Sequence, residues 1–323
     1  MQIRLSNPRG FCAGVRMAIE IVDEILDELD EHEHLYVYHE IVHNRHVVDR
    51  LRERGAIFVE DICEIPKDSV VVFSAHGVSP AIKEEAIQRS LICIDATCPL
   101  VIKVHAEAIR YAKRGWQILL IGHRNHQEVI GTLGEAPSSI QIIETPQDIE
   151  SITVHDPSKL VYLTQTTLSI DDAEIIINAL KNKYPEIHSP PNDDICYATT
   201  NRQLTVRNEA PEVDLVLVVG SKNSSNSLRL TEIASTVGTP SFLIDDVSMI
   251  QDDWFSNVEN VLITAGASAP EHLVAELVDY LVQQFNGELV NESLVEEGMY
   301  FSKPRSLAQY LQHKNVTIEG NNQ

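Results

Sequence analysis

The chain has 323 residues, 43% of them hydrophobic and 23% charged, the profile of an ordinary soluble protein long enough for about two domains and a full core. Its formal net charge of −23 repels nucleic acid and anionic lipid, so neither is expected as a partner, and an anionic ligand needs a site built from local donors. No apolar run reaches the length of a membrane span, and MQIRLSNPRG lacks a basic stretch followed by an apolar one, so a cytoplasmic protein is expected.

Taken in chain order, strand-like runs alternate with helical patterns, which predicts an α/β fold with parallel sheets. After a short apolar run, NPRGFCAGV sets Cys12 between two glycines and opens the helical pattern CAGVRMAIEIVDEIL. Next come the strand and polar exit LYVYHEIVHNRH, with His43 and Asn44, and then VVVFSAHGVS, with His76. The order recurs from Cys98: the helical CPLVIKVHAEAIRYAKR, then QILLIGHRNHQEV with His126 and Glu128, then LVYLTQTTLS with Thr166 and Thr167. It recurs again from Cys196: CYATTNRQLTVRN, then DLVLVVGSKNSSNS with Ser224, Ser225 and Asn226, then NVLITAGASAP with Ser268. The steps Cys12 to His43, Cys98 to His126 and Cys196 to Asn226 span 31, 28 and 30 residues. Three ordered features repeated in three units mark an internal repeat.

The repeat predicts three small parallel-sheet α/β domains in a pseudo-threefold arrangement, over residues 1–97, 98–195 and 196–323. Parallel sheets carry ligand chemistry at the carboxyl ends of their strands, so the polar exits of all three units are expected to face one central pocket. The end of the chain, from about Asn286, lies outside the repeat, with a predicted strand over EEGMYFSKPRSL and a frayed end, IEGNNQ.

Five cysteines in a reducing compartment argue against a disulfide framework. Cys63 and Cys93 read as small buried hydrophobes. Cys12, Cys98 and Cys196 differ because each stands at a helix start, where the dipole and free amides favour a thiolate. Three thiolates suit a soft metal, either zinc or an iron–sulfur cluster. Zinc would call for a fourth ligand and a short CxxC spacing, and neither is evident. A 4Fe-4S cluster on three cysteines leaves one open iron, which points to chemistry rather than to electron transfer alone.

The exits SKNSSNS and AGASAP are turns of the kind whose amides cradle phosphate, and histidines add charge-assisted bonds. His126 and Glu128, two residues apart on what reads as an extended exit, turn to the same side. Glu128 is the carboxylate in these loops placed to donate a proton beside a metal, the competing reading being a surface ion pair.

The segments NPRGFCAGV, HEIVHNRHVVDRLRERGAIFVE, FSAHGVS, DATCPLV, TQTTLS, DDICYATTNRQ, VVGSKNSSNS and TAGASAP together resemble the 4-hydroxy-3-methylbut-2-enyl diphosphate reductases, which close the methylerythritol phosphate route to isoprenoids. The resemblance runs from residue 1 to about residue 282. It implies one 4Fe-4S cluster on Cys12, Cys98 and Cys196 with one open iron. It also implies that His43, His76, His126, Ser224, Ser225, Asn226 and Ser268 bind the diphosphate. Thr166 and Glu128 would then sit near the substrate hydroxyl, Glu128 supplying protons, and a ferredoxin or flavodoxin would deliver electrons. One stretch departs from the family pattern: Asn125 and Gln127 flank His126 where a glycine and a proline are expected. Two other classes remain open on the residues alone. One is a redox-neutral iron–sulfur hydro-lyase acting on a phosphorylated substrate, and the other is a non-catalytic module that senses a phosphorylated metabolite.

Overall fold

The structure is a computed structural model that describes residues 1–30, 32–290 and 297–321. Strand β1 (Gln2–Leu5) opens the chain and leads through the Cys12 turn into helix α1 (Ala13–Asp27). The first unit continues through β2 (Leu35–Tyr38), α2 (Arg45–Glu53), β3 (Ala56–Val59), β4 (Val70–Phe73), α3 (Pro80–Gln88) and β5 (Ile92–Asp95). The second holds α4 (Pro99–Lys113), β6 (Gln117–Ile121), α5 (Gln127–Glu135), β7 (Ile140–Ile143), β8 (Leu160–Thr164) and α6 (Ile170–Lys183). The third holds α7 (Tyr197–Glu209), β9 (Leu215–Val219), α8 (Ser225–Thr236), β10 (Ser241–Ile244), β11 (Asn260–Ala265), α9 (Glu271–Phe285) and β12 (Glu288–Leu289), and α10 (Arg305–Asn321) follows.

Among the described residues these strands form three all-parallel sheets, in the orders β3-β2-β4-β5, β7-β6-β8 and β10-β9-β11-β1-β12. The repeat is visible in this order. In every unit the strand after the cysteine helix is central, flanked by the next two strands on opposite sides. The central strands LYVY, QILLI and LVLVV are almost wholly buried, as parallel strands covered on both faces must be. Alternate residues feed opposite layers. Leu35 and Val37 pack with α1 and α2 residues such as Met17 and Val47, whereas Tyr36 and Tyr38 pack with Val78 and Ala86 on the α3 side. In the third sheet Leu215 and Leu217 meet Leu273 and Leu277 of α9, and Val216 and Val218 meet Val206 of α7 and Leu230 of α8.

One strand falls outside an even division of the chain into thirds. β1, although first in sequence, pairs in register with β11, Ile3 opposite Val261, and so extends the third sheet. This seats the Cys12 turn beside the exit of β11. Three expectations are corrected, for the predicted strand, the frayed end and the two cysteines outside the repeat. The predicted strand EEGMYFSKPRSL begins at a residue outside the described set. From Glu297 to Pro304 it has no regular structure, and helix α10 starts at Arg305. This segment runs irregularly, and α10 after it buries Leu307 and Tyr310 in the first unit's core. The frayed end IEGNNQ is helical in its first four residues, and Asn322 and Gln323 lie outside the described residues. Cys63 is exposed rather than buried, its thiol donating to Glu85 Oε1 at 2.9 Å, and Cys93 is half-buried because β5 is an edge strand. Among the described residues no helix is long and apolar enough to cross a membrane.

Candidate functional site

The three unpaired thiols each cap a helix: Cys12 that of α1, Cys98 that of α4 and Cys196 that of α7. All three line one cavity. The turns are sewn together by the main chain. Cys12 N donates to Ala267 O at 3.1 Å, Cys98 N to Ala75 O at 3.0 Å and Cys196 N to Thr166 O at 3.0 Å. Gly10 holds the first turn at φ +67°, a region open to glycine. Tyr197, next to Cys196, takes the Ala13 amide on its hydroxyl at 3.2 Å and so ties the Cys12 helix to the Cys196 helix.

The helix-start environment was expected to lower the thiol pKa values. Burial overrides it: it pushes Cys98 up to about 12 and Cys196 up to about 11, with Cys12 adding to both. The amide donors of α4 and α7 pull the other way and are outweighed. Thiols crowded in a dry pocket need a positive partner to ionise, and a metal supplies one. Among the described residues no three His, Cys, Asp or Glu side chains are spaced to hold a single metal ion. Separated thiols around a common space suit a larger polynuclear body better than a single ion. Gly14 belongs to that space, since a Cβ there would come within 2.5 Å of Cys98 Sγ. Val15, Val42, Leu100, Val101 and Phe301 give it an apolar collar.

The other end of the cavity is polar. His43 follows β2, His76 follows β4 and His126 follows β6, so two units deliver three imidazoles to one point. The rings of His43 and His76 stack at 4.0 Å, and His126 stands edge-on to them at 5.5 and 5.8 Å. Burial is the first cause that drives His76 well below its ordinary pKa and His126 down to about 3, followed by the neighbouring imidazoles. Both are neutral near pH 7. The third unit brings Ser224, the N-cap of α8, with Ser225 and Asn226 in its first turn, and Ser268 from the exit of β11. Ser268 Oγ lies 2.9 Å from His43 O and 3.3 Å from Ser224 Oγ, which joins the first and third units. Asn226 is 4% exposed, yet neither its Oδ1 nor its Nδ2 has a partner. A buried amide left unpaired costs free energy unless a ligand completes it. Among the described residues no Lys or Arg lines the cavity, so an anion there meets amides, hydroxyls, the N-terminus of α8 and imidazoles able to take up protons.

Glu128 sits between the two ends. It is 2% exposed and receives two bonds from Thr166, the amide on Oε1 at 2.7 Å and the hydroxyl on Oε2 at 2.9 Å. Burial raises its pKa to about 7 against these two bonds, with Asp194 adding a smaller upward push. The surface ion-pair reading is overturned by this burial. The expected extended exit is also corrected, because Glu128 lies in the first turn of α5 and His126 caps that helix, Nδ1 accepting from Glu128 N at 3.2 Å. Asn125 is exposed and Gln127 begins the helix.

The three cysteines, the three histidines, Glu128, Thr166, Thr167, Ser224, Ser225, Asn226 and Ser268 all line this cavity, as expected. Asn44 does not; it caps α2 by accepting from Val47 N at 3.1 Å. The sequence reading missed Tyr197 and Phe301. Tyr197 adjoins a cysteine already singled out, but Phe301 lies in the tail, where neither repeat nor motif reaches.

A family model described as "LytB protein" matches residues 3–282. A 4-hydroxy-3-methylbut-2-enyl diphosphate reductase of Chromohalobacter salexigens is 53% identical over 312 residues, covering 95% of this chain and 98% of that one. The protein of that name from Streptomyces avermitilis is 48% identical over 318 residues, covering 98% and 94%. The solved E-1-hydroxy-2-methyl-but-2-enyl-4-diphosphate reductase from Plasmodium falciparum superposes with a TM-score of 0.90 at 39% identity, covering 97% of this chain and 99% of that one. A matching family model across most of the chain, relatives at this identity and a shared three-sheet architecture lead to one assignment: the chain belongs to the LytB family.

Proposed function

We propose that this chain is a 4-hydroxy-3-methylbut-2-enyl diphosphate reductase. It would remove the C4 hydroxyl with two electrons and two protons, giving isopentenyl and dimethylallyl diphosphate at the end of the methylerythritol phosphate pathway. Relatives carrying that name support the reading. The observation that carries it is the sealed Glu128–Thr166 pair in the cavity that Cys12, Cys98 and Cys196 share.

In this reading His43, His76, His126, Ser224, Ser225, Asn226 and Ser268 hold the diphosphate. Asn226 gains the partners it lacks, and the imidazoles take up protons as the anion arrives. Cys12, Cys98 and Cys196 would hold a 4Fe-4S cluster. When bound, that group supplies electrons one at a time and a Lewis-acidic iron at its open corner. Glu128, poised near neutrality, holds the proton for the departing hydroxyl, and the Thr166 hydroxyl on its Oε2 orients it. The apolar collar excludes water, which strengthens each of these interactions. A small one-electron carrier, a ferredoxin or a flavodoxin, suits the supply of electrons.

The test is anaerobic incubation of the protein with substrate, with and without a one-electron reductant. Both alkenyl diphosphates should form only when reductant is present. Turnover without it would overturn the reductase reading in favour of a redox-neutral hydro-lyase, which no observation here favours.

A further inference from the structure

The family match ends at residue 282, yet Phe301 stands in the wall of the thiol cavity. An extra Cβ on Gly14 would lie 4.0 Å from its ring, so Phe301 covers the same space that Gly14 leaves open beside Cys98. Something must hold an irregular segment there. The holder is Arg202, on α7 one and a half turns beyond Cys196 and 1% exposed. Its Nη2 donates to Gly10 O at 2.8 Å, two residues before Cys12, and to Glu297 Oε2 at 3.0 Å. Its Nη1 donates to Ala198 O at 3.0 Å and to Glu297 Oε1 at 3.3 Å. Asn201 Nδ2 donates to Glu297 Oε1 at 2.8 Å as well.

One guanidinium thus grips the Cys12 turn, the first turn of the Cys196 helix and the tail. Its Nε is buried without a partner, while its two terminal nitrogens carry all the bonds. A planar fork can hold several acceptors in fixed directions at once, which an ammonium cannot. On the far side the tail is anchored again, by Lys303 to Glu20 and Glu24 of α1 and by Leu307 and Tyr310 in the core. The five residues from Gly298 to Ser302 therefore run between two anchored points, and Phe301 among them lines the thiol end of the cavity.

We propose that the tail is part of the cofactor site. Phe301 is the outer wall that keeps water and oxygen from the thiol-bound group, and Arg202 is a positioning residue that locks two cysteine turns and this wall into one unit. The role in protecting a cluster rests on the function proposed above, whereas the clamp itself does not. An apolar shell of this kind governs solvent access and the lability of a bound metal group.

The test uses full-length protein purified without air. In R202K, which keeps the charge and loses the fork, amide exchange over residues 10–16 and 197–203 should quicken about tenfold, with strands β4 and β9 exchanging as in the parent. In Phe301→Ala, air should bleach the visible absorbance about tenfold faster, and Phe301→Leu should restore most of the parent's resistance. Unchanged local exchange in R202K overturns the clamp, and unchanged bleaching in Phe301→Ala overturns the wall. If the parent is colourless, the iron reading fails and exchange alone decides: faster local exchange upholds the clamp, and parent-like exchange removes it.

Discussion

Thr166 holds Glu128 by both of its polar groups, amide to Oε1 at 2.7 Å and hydroxyl to Oε2 at 2.9 Å, while its own carbonyl accepts the Cys196 amide at 3.0 Å. One residue therefore fixes the proton-bearing carboxyl relative to a thiol turn. With Glu128 at a pKa of about 7, roughly half the molecules carry the proton at neutral pH, the balance a general acid needs. Glu128→Gln should keep the fold and match the parent in iron content but lose turnover by about 10²- to 10⁴-fold. Steady-state assays beside iron analysis check this, and near-parent turnover would remove Glu128 from the proton-donor role.

The pH profile follows with a definite sign. Only protonated Glu128 donates, so the parent's turnover should fall as pH rises through about 7. Thr166→Val deletes a bond that favours the carboxylate, raising the pKa further and moving that limb upward. Stability has the same origin. A carboxyl raised from 4.5 to about 7 contributes fully below 4.5 and loses that contribution as pH climbs through the folded value. Glu128→Gln should therefore gain on the parent in thermal unfolding at pH 8. A Thr166→Val limb that stays in place or moves down would contradict the assignment.

Asn226 separates binding from stability. Both of its side-chain polar atoms are buried without partners, so removing them relieves a cost of about 1–3 kcal/mol in the ligand-free protein. Asn226→Ala should melt no lower than the parent, while KM for the diphosphate substrate rises about tenfold or more, the same energy lost from the complex. A lower melting temperature with unchanged KM would make Asn226 a structural residue.

Burial first, and then the His43 imidazole, holds both His76 and His126 neutral. A diphosphate beside them favours their charged forms, so binding near pH 7 should draw protons from solution. Titration calorimetry in buffers of different ionisation enthalpy reads this directly. Heats that do not depend on the buffer would exclude these imidazoles from the anion site.

Much of this site was readable before any coordinates because its parts recur. Cys12, Cys98 and Cys196 each precede a helical pattern, and in parallel α/β units a helix start and a strand exit share one edge of the sheet. Convergence of the three edges followed from the repeat. The order β10-β9-β11-β1-β12 did not, because β1 pairs with a strand some 260 positions away and nothing in QIRL names its neighbour. The helical placing of Glu128 was missed since His126 as an N-cap looks, in sequence, like one more loop residue. Phe301 was invisible for a similar reason. Its role comes from the grip of Arg202 on Glu297, and contacts that distant leave no local pattern.

Gly14 gives the packing test of the proposed metal site. Alanine suits a helix better than glycine by about 1 kcal/mol, so Gly14→Ala should fold. Its methyl would fall 2.5 Å from Cys98 Sγ, and affinity for the bound metal group should drop about 10- to 100-fold. Circular dichroism with iron titration checks both halves, and full iron loading in this variant would show that the space beside Gly14 is not used.

Iron and acid-labile sulfide counted per chain after anaerobic purification address the central claim most directly. The account predicts about four of each in the parent, and the same in Cys63→Ser and Cys93→Ser, whose thiols lie outside the cavity. It predicts loss of most of both in Cys12→Ser, Cys98→Ser and Cys196→Ser. A full complement retained in any of those last three, or a parent that carries a single zinc in place of iron, would contradict it.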